Sequence, residues 1–433
     1  MKKTDLKYQT YVQILKEELI PAMGCTEPIA IAYGAAKARE ILGCMPQHIE
    51  IQVSGNIIKN VKSVIVPNTG GLKGIAAAVV AGVIAGDADK KLEVISQVTA
   101  EEKVKMKQAL TDIPVLVREA DTDKIFDIIL LLSAGESCVN LRISDYHTNI
   151  VYIEKDKKIL YEAGVTALAE THLTDRSLLD VESIVDFADS VDPDDVREVL
   201  DRQIAYNSAI AQEGLKGTYG ANIGNVILAT YGNDIKVRAK AAAAAGSDAR
   251  MSGCSLPVII NSGSGNQGMT CSLPVIEYGK ELKKSEEEIY RALCVSNLVA
   301  LNQKRYIGSL SAYCGAVCAA AGAGAGITYL CGGNLEQIQN TVVNTIADAG
   351  GIVCDGAKPS CAAKIATSLQ AAILSHKMAM RGLVFGSGEG LVMDCPEDTI
   401  KAVGYVGRAG MKQTDVEILN LMIGKTKIED IEK

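Results

Sequence analysis

Tryptophan is absent from this chain, phenylalanine occurs three times and histidine four times in 433 residues. So few large rings cannot fill a core of this size. Ala, Val, Ile and Leu must fill it instead, and 40 glycines let backbones approach closely. The histidines, at 48, 147, 172 and 376, are too scattered to suggest a His-rich metal centre. No basic block stands out, and the net charge is −8. Phosphate neutralisation needs clustered Lys and Arg, so nucleic acid is not an expected partner. The opening MKKTDLKYQTYVQILKEEL has charges throughout and lacks the apolar run of a secretory signal. The expected location is therefore cytoplasmic.

Charge itself is missing from Met251–Ile276 and from Tyr306–Leu335. Each stretch exceeds the roughly 20 residues that span a bilayer. The first contains NSGSGNQG, which is too polar for lipid. The second is mostly Gly, Ala and Cys, and no Trp stands ready at an interface. Both are expected to be buried helices and loops, with no membrane as partner.

Cysteine is plentiful, with 12 in the chain. Under reducing conditions these are thiols rather than a disulfide framework, and most are expected to be small buried hydrophobes.

At roughly 100–200 residues per domain the length allows two or three domains. Helical spacing runs through residues 6–20, and a second helix follows with Pro28 in its first turn. Residues 49–66 read as strands around a Gly-Asn pair, PNTGG (67–71) as a turn, and GLKGIAAAVVAGVIAG as a small-residue helix ending at Gly86. A helix over 92–110 and strands in VLVRE, IILLLSAGESCVNLRIS and NIVYIEKDKKILYE complete an α+β domain over 1–165. Beyond it β signals fade. Acidic residues 173–202 read as a helical lead-in, and helical windows recur at 237–247, 285–302, 335–350 and 362–381. The expected fold class is α+β, a small N-terminal α+β domain packed on a mostly helical, Ala/Gly-rich domain over 166–433. The hexapeptide CSLPVI occurs at 254–259 and again at 271–276. Ser before Leu-Pro suggests a helix start in each copy.

Three groups of residues could carry chemistry. Cys354 and Cys361 form a C-x6-C pair around Gly and Pro, preceded by Cys314 and Cys318 in SAYCGAVC. Iron–sulfur clusters need thiolates that converge from loops. This is not a ferredoxin or zinc-finger spacing, and Cys294, Cys318 and Cys331 lie in helical windows suited to packing. Cys25, in MGCTEP before a helix start, could be a base, a nucleophile, a ligand or a buried small residue; a helix N-terminus lowers a thiol pKa. GSGNQG (263–268), with Ser262, Ser264, Asn266 and Gln267, has the make-up of an anion cradle. It lacks the GK[ST] ending of a nucleotide loop.

Taken together, MGCTEP, MSGCSLPVIINSGSGNQG, SAYCGAVCAAAGAGAGI and CDGAKPSCAAKI resemble the L-cysteine desulfidases, relatives of the bacterial iron–sulfur L-serine dehydratases. The motifs run from Met23 to Ile365, so the resemblance covers most of the chain. It implies a 4Fe–4S cluster with Cys314, Cys354 and Cys361 as counterparts of the cluster cysteines. It further implies a small amino-acid substrate undergoing α,β-elimination, L-cysteine yielding pyruvate, ammonia and sulfide. Association into a homo-oligomer is compatible with it. Where the dehydratases carry a His near the N-terminus, this chain has Cys25, Thr26 and Glu27, which points to Cys25 as base. Asn56, Asn68 and Thr69, with the GSGNQG residues, would hold carboxylate and ammonium. Cys354 and Cys361 are closer together than their counterparts. The dehydratases also have a cysteine in a C-terminal tail, whereas the last one here is Cys395.

Rival readings are an iron–sulfur serine or threonine dehydratase, a pyridoxal phosphate lyase drawing on Lys216, Lys358 or Lys364, a membrane carrier, and a thiol-rich binding protein without catalysis.

Overall fold

The computed structural model describes residues 1–163, 174–217, 219–308 and 310–430. His172 and the expected domain boundary at 165/166 lie outside the described residues.

Helix α1 is Leu6–Glu18, strand β1 Pro21–Met23 and helix α2 Thr26–Leu42. Strand β2 (His48–Val53) is followed by α3 (Gly55–Val61), α4 (Gly74–Ala85) and α5 (Ala100–Asp112). Five more strands follow: β3 (Val115–Glu119), β4 (Asp127–Ala134), β5 (Ser137–Ser144), β6 (Ile150–Lys155) and β7 (Lys158–Glu162). They form a six-stranded sheet in the order β3-β2-β4-β5-β6-β7. Only β2 and β3 are parallel, which requires the long crossover through α3, α4 and α5. Helix α2 covers one face of the sheet, with Gly34 seated on Leu130 and Ile143. Helix α4 crosses α2 at Gly82, where a Cβ would lie 2.1 Å from the Ala32 carbonyl oxygen.

The expected strands over 49–66 are corrected here. Only 48–53 is extended, and Gly55–Val61 is a helix despite its β-branched residues. Ser54 turns the chain out of the sheet, its hydroxyl bonded to the Ile125 carbonyl at 2.8 Å. Ile57 and Val61, one helical turn apart, are then fully buried together. The expected helix over 92–110 is shorter than read. It starts at Ala100, where Thr99 and Glu102 form a reciprocal cap.

The helical body comprises α6 (Val181–Ser190), α7 (Pro193–Gly214), α8 (Ile223–Tyr231), α9 (Ile235–Met251), strand β8 (Pro257–Ile259), α10 (Gly265–Glu281), α11 (Glu286–Ile307), α12 (Gly315–Leu330), α13 (Leu335–Ala349), α14 (Cys361–Ala379), α15 (Pro396–Tyr405) and α16 (Lys412–Ile423). The overall class is α+β, a small sheet module beside a helical body. At the centre of the body stands α12, buried without interruption from Ala316 to Thr328 and surrounded by α10, α11, α13 and α14. A helix apolar all round is one that is buried all round. That accounts for the uncharged stretch, and among the described residues no helix is long and apolar enough to cross a membrane.

Two features tie the N-terminal segment to the body. Helix α1 packs on α6, α7 and α11. Strand β1 pairs antiparallel with β8, Pro21 opposite Ile259. This pairing also corrects the reading of the repeat as two helix starts. The first CSLPVI supplies β8, while the second runs through α10 with Pro274 inside the helix. The same residues take opposite states because β1 offers a strand partner to one copy only. The outcome sets Cys25, just after β1, beside the loop that follows β8.

Candidate active site

Three thiols meet where the loop before α12 faces the loop before α14. Residues 312–314 and 352–354 run antiparallel. The Cys314 N–H donates to the Ile352 carbonyl at 3.0 Å, and the Cys354 N–H donates to the Ala312 carbonyl at 2.6 Å. Cys314 ends the first segment as N-cap of α12, and its thiol donates to the Cys354 sulfur. That bond pulls the Cys354 thiol well below its usual range, against the effect of burial, and nearby Lys59 adds to it. The same bond and burial hold the Cys314 thiol up. Cys361, first residue of α14, lies close enough to interact electrostatically with both, and burial raises it. All three are partly exposed, whereas Cys25, Cys254, Cys271, Cys294 and Cys318 are buried.

Among the described residues no three His, Cys, Asp or Glu side chains are arranged to hold a metal ion. A cuboidal cluster asks for something different: each thiolate binds its own iron, so the ligands border a volume instead of converging on a point. The donor set fits such a group, being three largely buried thiols, one of them favoured as thiolate, in a cationic surrounding.

Cys25 is N-cap of α2 and only 2% exposed. It packs with Val64, Met251 and Ala357, the last lying between Cys354 and Cys361. Its thiol donates to Glu27 Oε2 at 3.0 Å. A lowered thiol pKa was expected here, and the structure corrects it. Burial and then the Glu27 carboxyl raise Cys25 well above the usual thiol range, outweighing Arg250. Glu27, itself buried, also accepts from Thr26 Oγ1 at 3.1 Å and from Asn60 Nδ2 at 3.2 Å. Thr26 Oγ1 also lies 2.9 Å from the Gly263 carbonyl, an alternative acceptor that links this pair to the GSGNQG segment.

That segment is less of a loop than its composition suggests. Ser262 (φ 52°) and Gly263 (φ 72°) make the turn, Ser264 is the N-cap, and Asn266 and Gln267 already belong to the first turn of α10. The Ser262 hydroxyl donates to Asn261 Oδ1 at 2.9 Å, and its N–H donates to Glu18 Oε2 at 3.2 Å. Asn266 Oδ1 accepts from Arg250 at 3.1 Å. Gln267 presses on Gly315, where a Cβ would lie 2.6 Å from Gln267 Cδ. The α10 N-terminus and the residue after Cys314 are therefore in contact.

The turn residues are occupied differently. Asn68 (φ 58°) donates to the Ile95 carbonyl at 2.9 Å, and the fully buried Thr69 hydroxyl bonds the Val66 carbonyl at 2.6 Å. Thr69 closes its own turn, and Asn68 ties that turn to the 95–96 segment. Asn56 lies on α3 one turn before Asn60, and its buried Oδ1 has no partner among the described residues.

Three residues went unmarked in the sequence. Arg250 is 2% exposed, and its Nε has no hydrogen-bond partner among the described residues. His147 lies under Gly263, its buried Nε2 without a partner among the described residues, and burial lowers its pKa. Lys304, 7% exposed, is held below the usual lysine range by burial, while Cys318, Cys354 and Cys314 pull the other way. None of the three carried a local signal in the sequence. Lys358 and Lys364 are both paired with Asp355, and Lys216 with Glu213.

Fold and geometry thus define a protein with a thiol-centred site between a small sheet module and a helical body. The serine dehydratase alpha chain family model matches residues 89–420, and the chain belongs to that family. The match takes in all three cysteines of the trio and begins beyond Cys25 and Glu27. A UPF0597 protein of Desulfitobacterium hafniense is 59% identical over 425 residues, 98% of this chain and 99% of that one. A UPF0597 protein of Lachnoclostridium phytofermentans is 53% identical over 416 residues, 96% and 100% of the two chains. One from Clostridium perfringens is 39% identical over 425 residues, 97% and 99%.

Proposed function

We propose that this protein is an iron–sulfur lyase that eliminates the β-heteroatom of a small amino acid, with L-cysteine as substrate. The observation that carries the reading is the meeting of Cys314, Cys354 and Cys361 in one place, next to buried polar atoms that lack partners. Native interiors seldom leave such atoms unpaired. Arg250 Nε, His147 Nε2 and Asn56 Oδ1 therefore point to a polar ligand.

Cys314, Cys354 and Cys361 would hold a 4Fe–4S cluster, which when bound supplies a Lewis-acidic iron that polarises the leaving heteroatom and favours sulfur. The rest falls to side chains. Arg250 and the first N–H groups of α10 bind the α-carboxylate, with Ser264, Asn266 and Gln267 shaping that end. Glu27 and Asn56 face the ammonium. Cys25 Sγ takes the α-proton while its own proton passes to Glu27 Oε2, a transfer suited to a thiol held protonated at rest. Burial of the Cys25–Glu27 pair keeps water from competing. Hydrosulfide leaves, and the aminoacrylate released decays in water to pyruvate and ammonia, with no net redox change. Family membership supports the lyase chemistry, and partial exposure of the trio supports cluster assembly. The site belongs to a protein of the cytoplasm.

The test is an anaerobic preparation assayed for iron, acid-labile sulfide, and products from L-cysteine and L-serine. Sulfide and pyruvate from cysteine at the higher kcat/KM are expected. Faster pyruvate release from serine would make the protein a serine dehydratase, and a chain that takes up no cluster would end the proposal.

A further inference from the structure

We infer that Lys59 is a positioning residue of the thiol site, holding the Cys354 corner in register with the Cys25–Glu27 pair. This rests on the iron–sulfur reading above. Helix α3 reaches both halves of the site through adjacent residues. Asn60 donates to Glu27 Oε1 at 3.2 Å, and Glu27 accepts from the Cys25 thiol. Lys59 Nζ donates to the Cys354 carbonyl at 3.4 Å and pairs with Asp415 of α16. Neighbouring helical residues point about 100° apart, so one short helix can hold two partners at once.

The contact with the cysteine loop is more than one long hydrogen bond. Gly356 (φ 93°) lies against α3, where a Cβ would stand 2.2 Å from the Lys59 carbonyl oxygen and 3.3 Å from Lys59 Cγ. The Gly356 carbonyl in turn accepts from the Cys361 thiol at 3.7 Å. Lys59 thus props the segment that joins two of the three thiols. The lysines of that segment act differently. Lys358 and Lys364 both pair with Asp355 and bond the Gly356 and Val353 carbonyls, closing the loop on itself. They shape the loop but do not set where it stands relative to α2, which carries Glu27. A buried ion pair adds little net stability over apolar packing of the same volume, and its best attested use is to fix register. Register matters at such a site, because a misplacement of about 1 Å between reacting groups can cost about 100-fold in rate.

The experiment compares wild type with Lys59→Met and Asp415→Asn, each loaded anaerobically and also kept cluster-free. Three quantities are read: iron release to a chelator without substrate, kcat and KM with L-cysteine, and amide exchange over 353–357 in the cluster-free proteins. Lys59→Met should release iron about tenfold faster, the usual scale for losing an outer partner of a metal site. Its kcat should fall about tenfold or more with KM little changed, because the groups proposed to bind the carboxylate are untouched. Its 353–357 amides should exchange faster than those of wild type. Asp415→Asn keeps the ammonium under the Cys354 carbonyl. Its iron release and 353–357 exchange should therefore stay nearer wild type than those of Lys59→Met, although it should free α16 more. Iron release from Asp415→Asn equal to or above that from Lys59→Met would overturn the inference, since Lys59 would then act only through α16. Wild-type iron release and kcat in Lys59→Met would overturn it and leave the iron–sulfur reading intact. A Lys59→Met chain that fails to fold would overturn it too, assigning the lysine to the scaffold. A wild-type chain that takes up no cluster would refute the iron–sulfur reading. Faster 353–357 exchange in Lys59→Met would then still support the hold of Lys59 on the loop, and unchanged exchange would refute both.

Discussion

Asp415→Asn is expected to loosen α16 from the site while leaving the body folded. Helix α16 buries none of its own residues fully. It is held by Asp415 on Lys59, by Lys62 on the Met422 carbonyl, by Leu419 over Gly55, and by the nearby Lys425–Glu119 pair. The last of these is exposed and worth well under about 1 kcal/mol. The first is different, because the Lys59 side chain is 1% exposed and that of Asp415 16%. Removing the carboxylate charge leaves the ammonium buried, with only the Cys354 carbonyl at 3.4 Å. Breaking a buried pair in this way costs about 3 kcal/mol, or about 100-fold in the opening equilibrium. Lys59→Met removes the ion that is harder to bury, leaves the more exposed partner, and should cost about half as much. The double variant should lose less than the sum of the two. Hydrogen exchange of the amides in 412–423 reads the effect directly, with the amides of α12 as internal reference. Exchange in Asp415→Asn within about twofold of wild type would refute the reasoning, since a local opening cost of this size must appear there.

Cys25→Ala should keep wild-type iron content and lose turnover by about 100-fold or more, as a missing proton-transfer group does; iron loss instead would make Cys25 a ligand. Cys354→Ala and Cys361→Ala should each lower iron per chain after anaerobic loading, and an active iron-free variant would remove both from the site. His376 is buried in α14 against Thr328, at 2.9 Å, and burial lowers its pKa from 6.5 to about 4. A base depressed in the folded state contributes stability that is complete above pH 6.5 and lost as pH falls through about 4. His376→Gln should flatten that part of the urea-midpoint profile by about 3 kcal/mol, and an unchanged slope would count against it.

Much of the fold could be read directly. The helical windows of the second half, the strands from 115 to 162 and the small-residue helix ending at Gly86 rest on local periodicity and on the stop at that glycine. The misreadings share one cause. Residues 55–61 and the two CSLPVI copies have local preferences weak enough for tertiary partners to override. The first follows the burial of Ile57 and Val61, the second the presence or absence of β1. The site divides in the same way. Thiol-bearing motifs and the Gly-rich turn are visible as residue types at given spacings. Arg250, His147 and Lys304 are single polar residues in otherwise ordinary segments, so nothing local marked them.

By itself the sequence determined which chemistry was available: thiols without disulfides, an Ala/Gly core able to close around them, and no basic surface for nucleic acid. Only the tertiary structure decided how that chemistry is tuned. The Cys25 pKa rises because burial beside Glu27 outweighs a helix N-terminus, while that of Cys354 falls because a second thiol donates to it. These shifts come from desolvation and from charges brought close by residues far apart in the chain, and no spacing along a sequence encodes them.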